Sequence, residues 1–122
     1  PWFNPLKKTL LTVGNLWEPA EFNSSYDVIL CTDVMAHIPP ARIPAVLQNF
    51  HHNTNNFTFF SIALLPDDIG EKLVGEPLRL SLFPPQWWID AILAAGFRKI
   101  QYAAMEQDSL GRDLWVHIIA LP

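Results

Sequence analysis

A chain of 122 residues, 50% of them hydrophobic, holds enough apolar material for one ordinary globular core, and we read residues 1–122 as a single domain. Its formal net charge of −4, with acids and bases scattered along the sequence, provides no basic surface for a phosphate backbone, so nucleic acid is not an expected partner. No run approaches the roughly 18 apolar residues of a membrane span and no charged-then-apolar leader opens the chain, so a soluble protein is expected.

Thr9 to Val13 (TLLTV) is a short, partly β-branched run closed by Gly14-Asn15, and predicts a buried strand and a turn. Tyr26 to Thr32 (YDVILCT) is a second apolar run without alternation, the pattern of a parallel strand covered on both faces. It contains Cys31, the single cysteine, which excludes an internal disulfide and fits a buried, reduced thiol in a cytoplasmic protein. Asn23 and Asn56 stand in Asn-x-Ser/Thr sequences, which would matter only in a secreted chain.

Beyond Pro39-Pro40, the residues Ile43, Val46, Leu47 and Phe50 recur at helical spacing, with Pro44 tolerable in the first turn, so a helix is predicted to end near His51. A polar turn, His52 to Asn56, then leads into the strand Phe57 to Leu65. Strand, helix and strand together make a parallel crossover unit. Pro66 to Leu82 has no clear period and reads as a long surface excursion of the kind that often carries function.

Pro84-Pro85 opens a helix, Gln86 to Ala95, stopped by Gly96. Only Gln86 and Asp90 are polar in it, so Trp87, Trp88, Ile92 and Leu93 are expected to be largely buried. Phe97 to Ala104 and Leu114 to Leu121 are strands whose short joint, MEQDSLGRD, requires antiparallel pairing.

Two stretches, YDVILCTDVMAHIP and LFPPQWWIDAILAAGF, in this order on such a sheet, resemble the class I S-adenosylmethionine-dependent methyltransferases. The resemblance runs from about Thr9 to Leu121 and implies a partial Rossmann-like α/β fold, with a mostly parallel sheet ending in an antiparallel pair. It implies S-adenosylmethionine as cofactor, with Asn15 and Leu16 at the adenine and Cys31, Thr32 and Asp33 toward the methyl-transfer end. The rule that ligands of such sheets sit beyond the carboxyl ends of the strands gives the same placement for Thr32, Asp33 and His37.

His37 is the candidate general base, because an imidazole titrates near neutrality, and Asp33 is the second catalytic candidate. The alternative for both is a role in capping or packing the turn. Arg79, Phe83 and Trp87 are acceptor-side candidates by position, against solubility for the arginine and core packing for the rings. No repeated Cys or His spacing of a zinc site is present, so no metal is expected.

Asn15 stands where that family carries an acid, and Ala36 where it often has a glutamate. The family's Gly-rich cofactor loop and first two strands have no counterpart in this chain, so the domain is expected to be incomplete at its N-terminus. Tyr26 to Thr32 would then be an open hydrophobic edge, completed by an upstream segment or by pairing of two copies. The expected activity is methyl transfer to an unidentified small-molecule acceptor. The alternative is a non-catalytic subunit or binding module that associates through the edge.

Overall fold

The computed structural model describes residues 13–19, 22 and 24–122. The expected strand at Thr9 to Val13 lies outside these residues except for Val13, which is irregular and exposed. Four strands, β1 (Tyr26–Thr32), β2 (Thr54–Ala63), β3 (Lys99–Gln107) and β4 (Asp113–Leu121), form one sheet in the order β1-β2-β4-β3. β1 and β2 run parallel, and β4 pairs antiparallel with both β2 and β3. The described sheet is therefore mixed, with its parallel part at the β1 edge.

The β1–β2 crossover is made by two single 3-10 turns, Met35–His37 and Pro40–Arg42, and by helix α1 (Ile43–Asn53). Its apolar stripe, Ile43, Val46, Leu47 and Phe50, packs on the sheet as its spacing predicts. There is no polar turn after it: α1 runs to Asn53 and β2 begins at Thr54. The Thr54 hydroxyl makes that junction, donating 2.7 Å to the Phe50 carbonyl and lying 2.8 Å from the buried Thr58 hydroxyl.

The excursion after β2 contains a helix that its sequence pattern did not announce, α2 (Asp68–Val74). Asp67 caps its start, accepting from the Gly70 N–H at 3.0 Å, and Gly75 ends it in the left-handed conformation at φ 87°. None of its residues is buried. Helix α3 (Pro85–Ala94) follows, with Trp88 and Ile92 fully buried against the same sheet face as α1. Leu93, expected inside, is exposed, because a ten-residue helix lying on a sheet keeps one side in water.

Gly96 turns the chain from α3 toward β3 at φ 118°, and a β-carbon there would meet the His51 ring at 2.9 Å. Gly96→Ala is expected to cost more than about 1 kcal/mol, read as a lower urea midpoint at unchanged slope. The β3–β4 turn is fastened by Asp108. Its carboxylate accepts from the Arg112 and Leu110 N–H groups and from the Arg112 guanidinium, and these bonds, the Arg112 N–H foremost, hold the carboxyl below its ordinary range.

β1 is covered less than expected. Only Cys31 of its seven residues is buried, while Val28 and Leu30 face solvent and Leu30 is 71% exposed. The α1 side supplies one cover, and among the described residues nothing packs on the opposite face at Leu30. Among the described residues β1 has one partner, β2, and its other edge carries no strand.

Candidate active site

β1 delivers its last residues to one corner of the molecule. The ladder continues one residue past the strand, the Asp33 N–H donating to the Ser61 carbonyl at 2.9 Å, and Asp33 then turns the chain away at φ 55°. A left-handed conformation is uncommon for any residue with a β-carbon, though aspartate tolerates it better than most. The turn delivers the Met35–His37 segment with the His37 ring beside the Asp33 carboxylate.

Three charged or titratable side chains meet there. His37 Nε2 lies 3.5 Å from Asp33 Oδ1, and Arg79 Nη2 lies 3.6 Å from the same oxygen. The His37 Nδ1–H donates to the Leu78 carbonyl at 2.8 Å, which places the proton of the neutral ring on Nδ1 because a carbonyl only accepts. Arg79 also donates from Nη1 to the Leu65 carbonyl at 2.9 Å, and its guanidinium lies 5.4 Å from the centre of the Trp115 ring. The Leu80 and Ser81 N–H groups both donate to the Ala36 carbonyl, and the Ser81 hydroxyl donates to the Ile38 carbonyl. The end of the excursion thus clasps the turn that carries His37.

Beside this corner lies an open groove of about 410 Å³ whose lining includes Asn15, Leu16, Val28, Cys31 and Val34. One wall is the 14–16 segment, held by the Leu16 carbonyl, which accepts from Asn49 Nδ2 of α1 at 2.8 Å. Phe22 adds to the lining and packs edge-on against Phe50 at 6.0 Å.

The expected cofactor residues therefore divide: Asn15, Leu16 and Cys31 line the groove, Thr32 is exposed at the end of β1, and Asp33 stands in the charged corner. Of the acceptor-side candidates, Arg79 joins Asp33. Phe83 and Trp87 stack on each other at 3.8 Å, and Trp87 lines a separate groove of about 140 Å³ between α1 and α3. Trp115 and the Leu78 carbonyl are members that sequence reasoning did not name. No sequence signal links position 115 on β4 to position 79.

Burial pushes the Cys31 thiol from its ordinary value of 9.0 up to about 12. The folded chain then holds this proton where the unfolded chain has lost it, so Cys31 lowers stability as pH rises above about 9, with no effect well below. A maleimide at pH 8 is expected to label Cys31 only on unfolding. Rapid labelling of the folded chain would contradict its burial.

No protein-family model matches the sequence, and no curated protein matches it. Solved structures do. The chain superposes on the CMeT domain of citrinin polyketide synthase with a TM-score of 0.70, at 15% identity over 95% of this chain and 35% of that one. With magnesium protoporphyrin IX methyltransferase from Synechocystis PCC 6803, solved with bound SAH, the TM-score is 0.60 at 14% identity, over 86% of this chain and 48% of that one. Human N-acetylserotonin methyltransferase in complex with SAM gives 0.60 at 15% identity, over 90% and 32%.

The chain has part of the Rossmann-like methyltransferase fold. It spans between a third and a half of the length of these methyltransferases. One of them holds S-adenosylhomocysteine and another S-adenosylmethionine.

The groove can be tested for its fit to that cofactor. A flat adenine suits walls made by Leu16, Phe22, Val28 and Val34, with the Asn15 amide as a polar partner. None of the described lining residues is charged, so they offer nothing for the ammonium and carboxylate of the methionine part. The described lining thus suits a flat heterocycle and carries no partner for a charged group.

Proposed function

We propose that this chain is an S-adenosylmethionine-dependent methyltransferase, or the C-terminal portion of one, acting on a small-molecule acceptor. The observation that carries the reading is the corner of Asp33, His37 and Arg79 at the carboxyl end of parallel strand β1, next to an uncharged groove, on a methyltransferase fold. In this reading residues 1–122 form one methyltransferase-like domain that further sequence or a second copy completes.

Asn15 and Leu16 would contact the adenine end, and Cys31, Thr32 and Asp33 the approach to the reacting methyl group. The cofactor supplies that methyl as an electrophile on a sulfonium. The chain's own part is to orient the acceptor and take its proton. His37 is arranged for this, since its Nδ1 is committed to the Leu78 carbonyl and Nε2 is left as the base. Positioning and charge supply most of the acceleration in such a displacement, so one well-placed base suffices. In this reading Phe83 and Trp87 serve the core.

The test is transfer of labelled methyl from S-adenosylmethionine to small acceptors bearing hydroxyl, amine or acidic C–H groups, comparing wild type with Asp33→Asn. Asparagine keeps the left-handed turn and removes the charge, which Asp33→Ala would not do cleanly. Label is expected in the acceptor fraction, with at least a tenfold loss in the variant for one lost charged contact. Equal turnover would take Asp33 out of the site.

One observation favours a second reading, a non-catalytic subunit that binds through its sheet edge: the exposed Leu30 on β1, an edge strand among the described residues. It predicts a concentration-dependent dimer that Leu30→Lys weakens, without methyl transfer.

A further inference from the structure

His37 sits in a turn that cannot cap itself. A single 3-10 turn makes few bonds of its own, here from the His37 N–H to the Val34 carbonyl at 2.9 Å and from the Ile38 N–H to the Met35 carbonyl at 3.2 Å. Ala36 is fully buried, and its carbonyl would next accept from the residue three or four positions on. Those residues are Pro39 and Pro40, which have no N–H to give.

Residues 78–81 supply the missing donors from the far end of the excursion. The Leu80 and Ser81 N–H groups reach the Ala36 carbonyl at 2.8 and 2.9 Å. The Ser81 hydroxyl donates to the Ile38 carbonyl, and the Leu78 carbonyl accepts from His37 Nδ1 at 2.8 Å. This strap is fixed on both sides. Arg79 Nη1 ties it to the Leu65 carbonyl just past β2, and four residues after Ser81 the chain enters α3 at Pro85. Ser81 is fully buried, and the one hydrogen bond of its side chain among the described residues goes to the turn. A polar group held in the core is accounted for by the partner it satisfies, and this partner carries His37.

We infer that Ser81 is a positioning residue for His37: with the Leu80 N–H, it holds the proline-stopped turn so that the ring keeps one direction toward Asp33 and Arg79. The inference rests on the reading of His37 as the base and assigns that base its support. Being buried, Ser81 acts through the turn and touches no acceptor.

The test begins with the three-bond couplings about the His37 Cα–Cβ bond in the isotope-labelled 122-residue chain, without cofactor or acceptor. Wild type is expected to show one rotamer, and folded Ser81→Ala values averaged over two or more. This readout does not depend on turnover. In methyl transfer, Ser81→Ala should lower kcat roughly ten- to a hundredfold with KM changed less than about twofold, since misplacement by about 1 Å acts on the reacting step. In a His37→Ala chain it should cost nothing further, because the ring it positions is gone.

Should Ser81→Ala fail to fold, Ser81→Cys keeps a side chain of similar size with only a weak donor, and the same averaging and loss of kcat are expected. A single His37 rotamer in either folded variant would overturn the inference. So would an equal fold-loss with and without His37. Undiminished kcat in His37→Ala, with the rotamer still released by Ser81→Ala, would remove the base reading and leave the positioning standing.

Discussion

Replacing His37 with alanine is expected to lower methyl transfer by roughly 10²- to 10⁴-fold in kcat, the range that one general base contributes. The reason is geometric. The ring is fixed by the Nδ1–H bond to the Leu78 carbonyl at 2.8 Å, so its other nitrogen has one direction and one proton state in which to serve. Alanine also removes that bond, which is worth about 1 kcal/mol to the turn, and a small loss of stability should accompany the loss of rate.

His37→Asn separates the two effects. Its amide can donate where Nδ1 does but has nothing to place at Nε2, so stability should return while turnover does not. The loss should fall in kcat more than in KM, because the proton moves only in the reaction. Steady-state kinetics beside urea denaturation measures both. Undiminished kcat in His37→Ala would leave the ring a packing role in the turn.

Trp88→Ala is expected to destabilise the chain by about 3–5 kcal/mol, a large share of what a domain of this size has in total. Trp88 is completely buried and is the largest side chain that is among the described residues. Its ring meets Phe83 at 5.8 Å and Trp87 at 5.0 Å, both edge to face, and it joins α3 to the core on the sheet. Removing it leaves a cavity that the sheet side cannot collapse to fill.

A milder change has a different sign of effect at one atom. The indole Nε1–H is buried with no partner among the described residues. Trp88→Phe removes this unsatisfied donor along with some volume, so it should cost much less than alanine. Chemical denaturation of both variants checks the pair. An alanine cost under about 1 kcal/mol would mean that α3 is not docked as described.

The strands and the two longer helices were legible because each carries a period or a punctuation mark of its own. Ile43, Val46, Leu47 and Phe50 declare the face of α1, and Pro85 with Gly96 brackets α3. α2 was not legible from periodicity, since a helix that buries nothing has no stripe to show. Its mark is the capping pair, Asp67 before it and Gly75 after it. The coverage of β1 was misread because an apolar run records what a strand is suited to and not what lies upon it.

At the site, Asp33 and His37 were readable as neighbours four residues apart in one turn. The connection of Arg79 to them was not, because it depends on an excursion folding back from β2 across the end of β1. Trp115 comes in from β4, which the antiparallel pairing with β2 brings opposite Ala63, two residues before Leu65. Such contacts follow from strand order. Strand order appears in the sequence only as the lengths of the connections.

The groove beside β1 as the seat of the cofactor's adenine end is the claim on which the functional reading stands. Titration of the labelled 122-residue chain with S-adenosylhomocysteine, followed amide by amide, tests it most directly. Saturable shifts confined to residues 14–16 and 28–34, and abolished by Val34→Arg, are expected. An absence of shifts up to millimolar ligand, or shifts centred elsewhere, would contradict it.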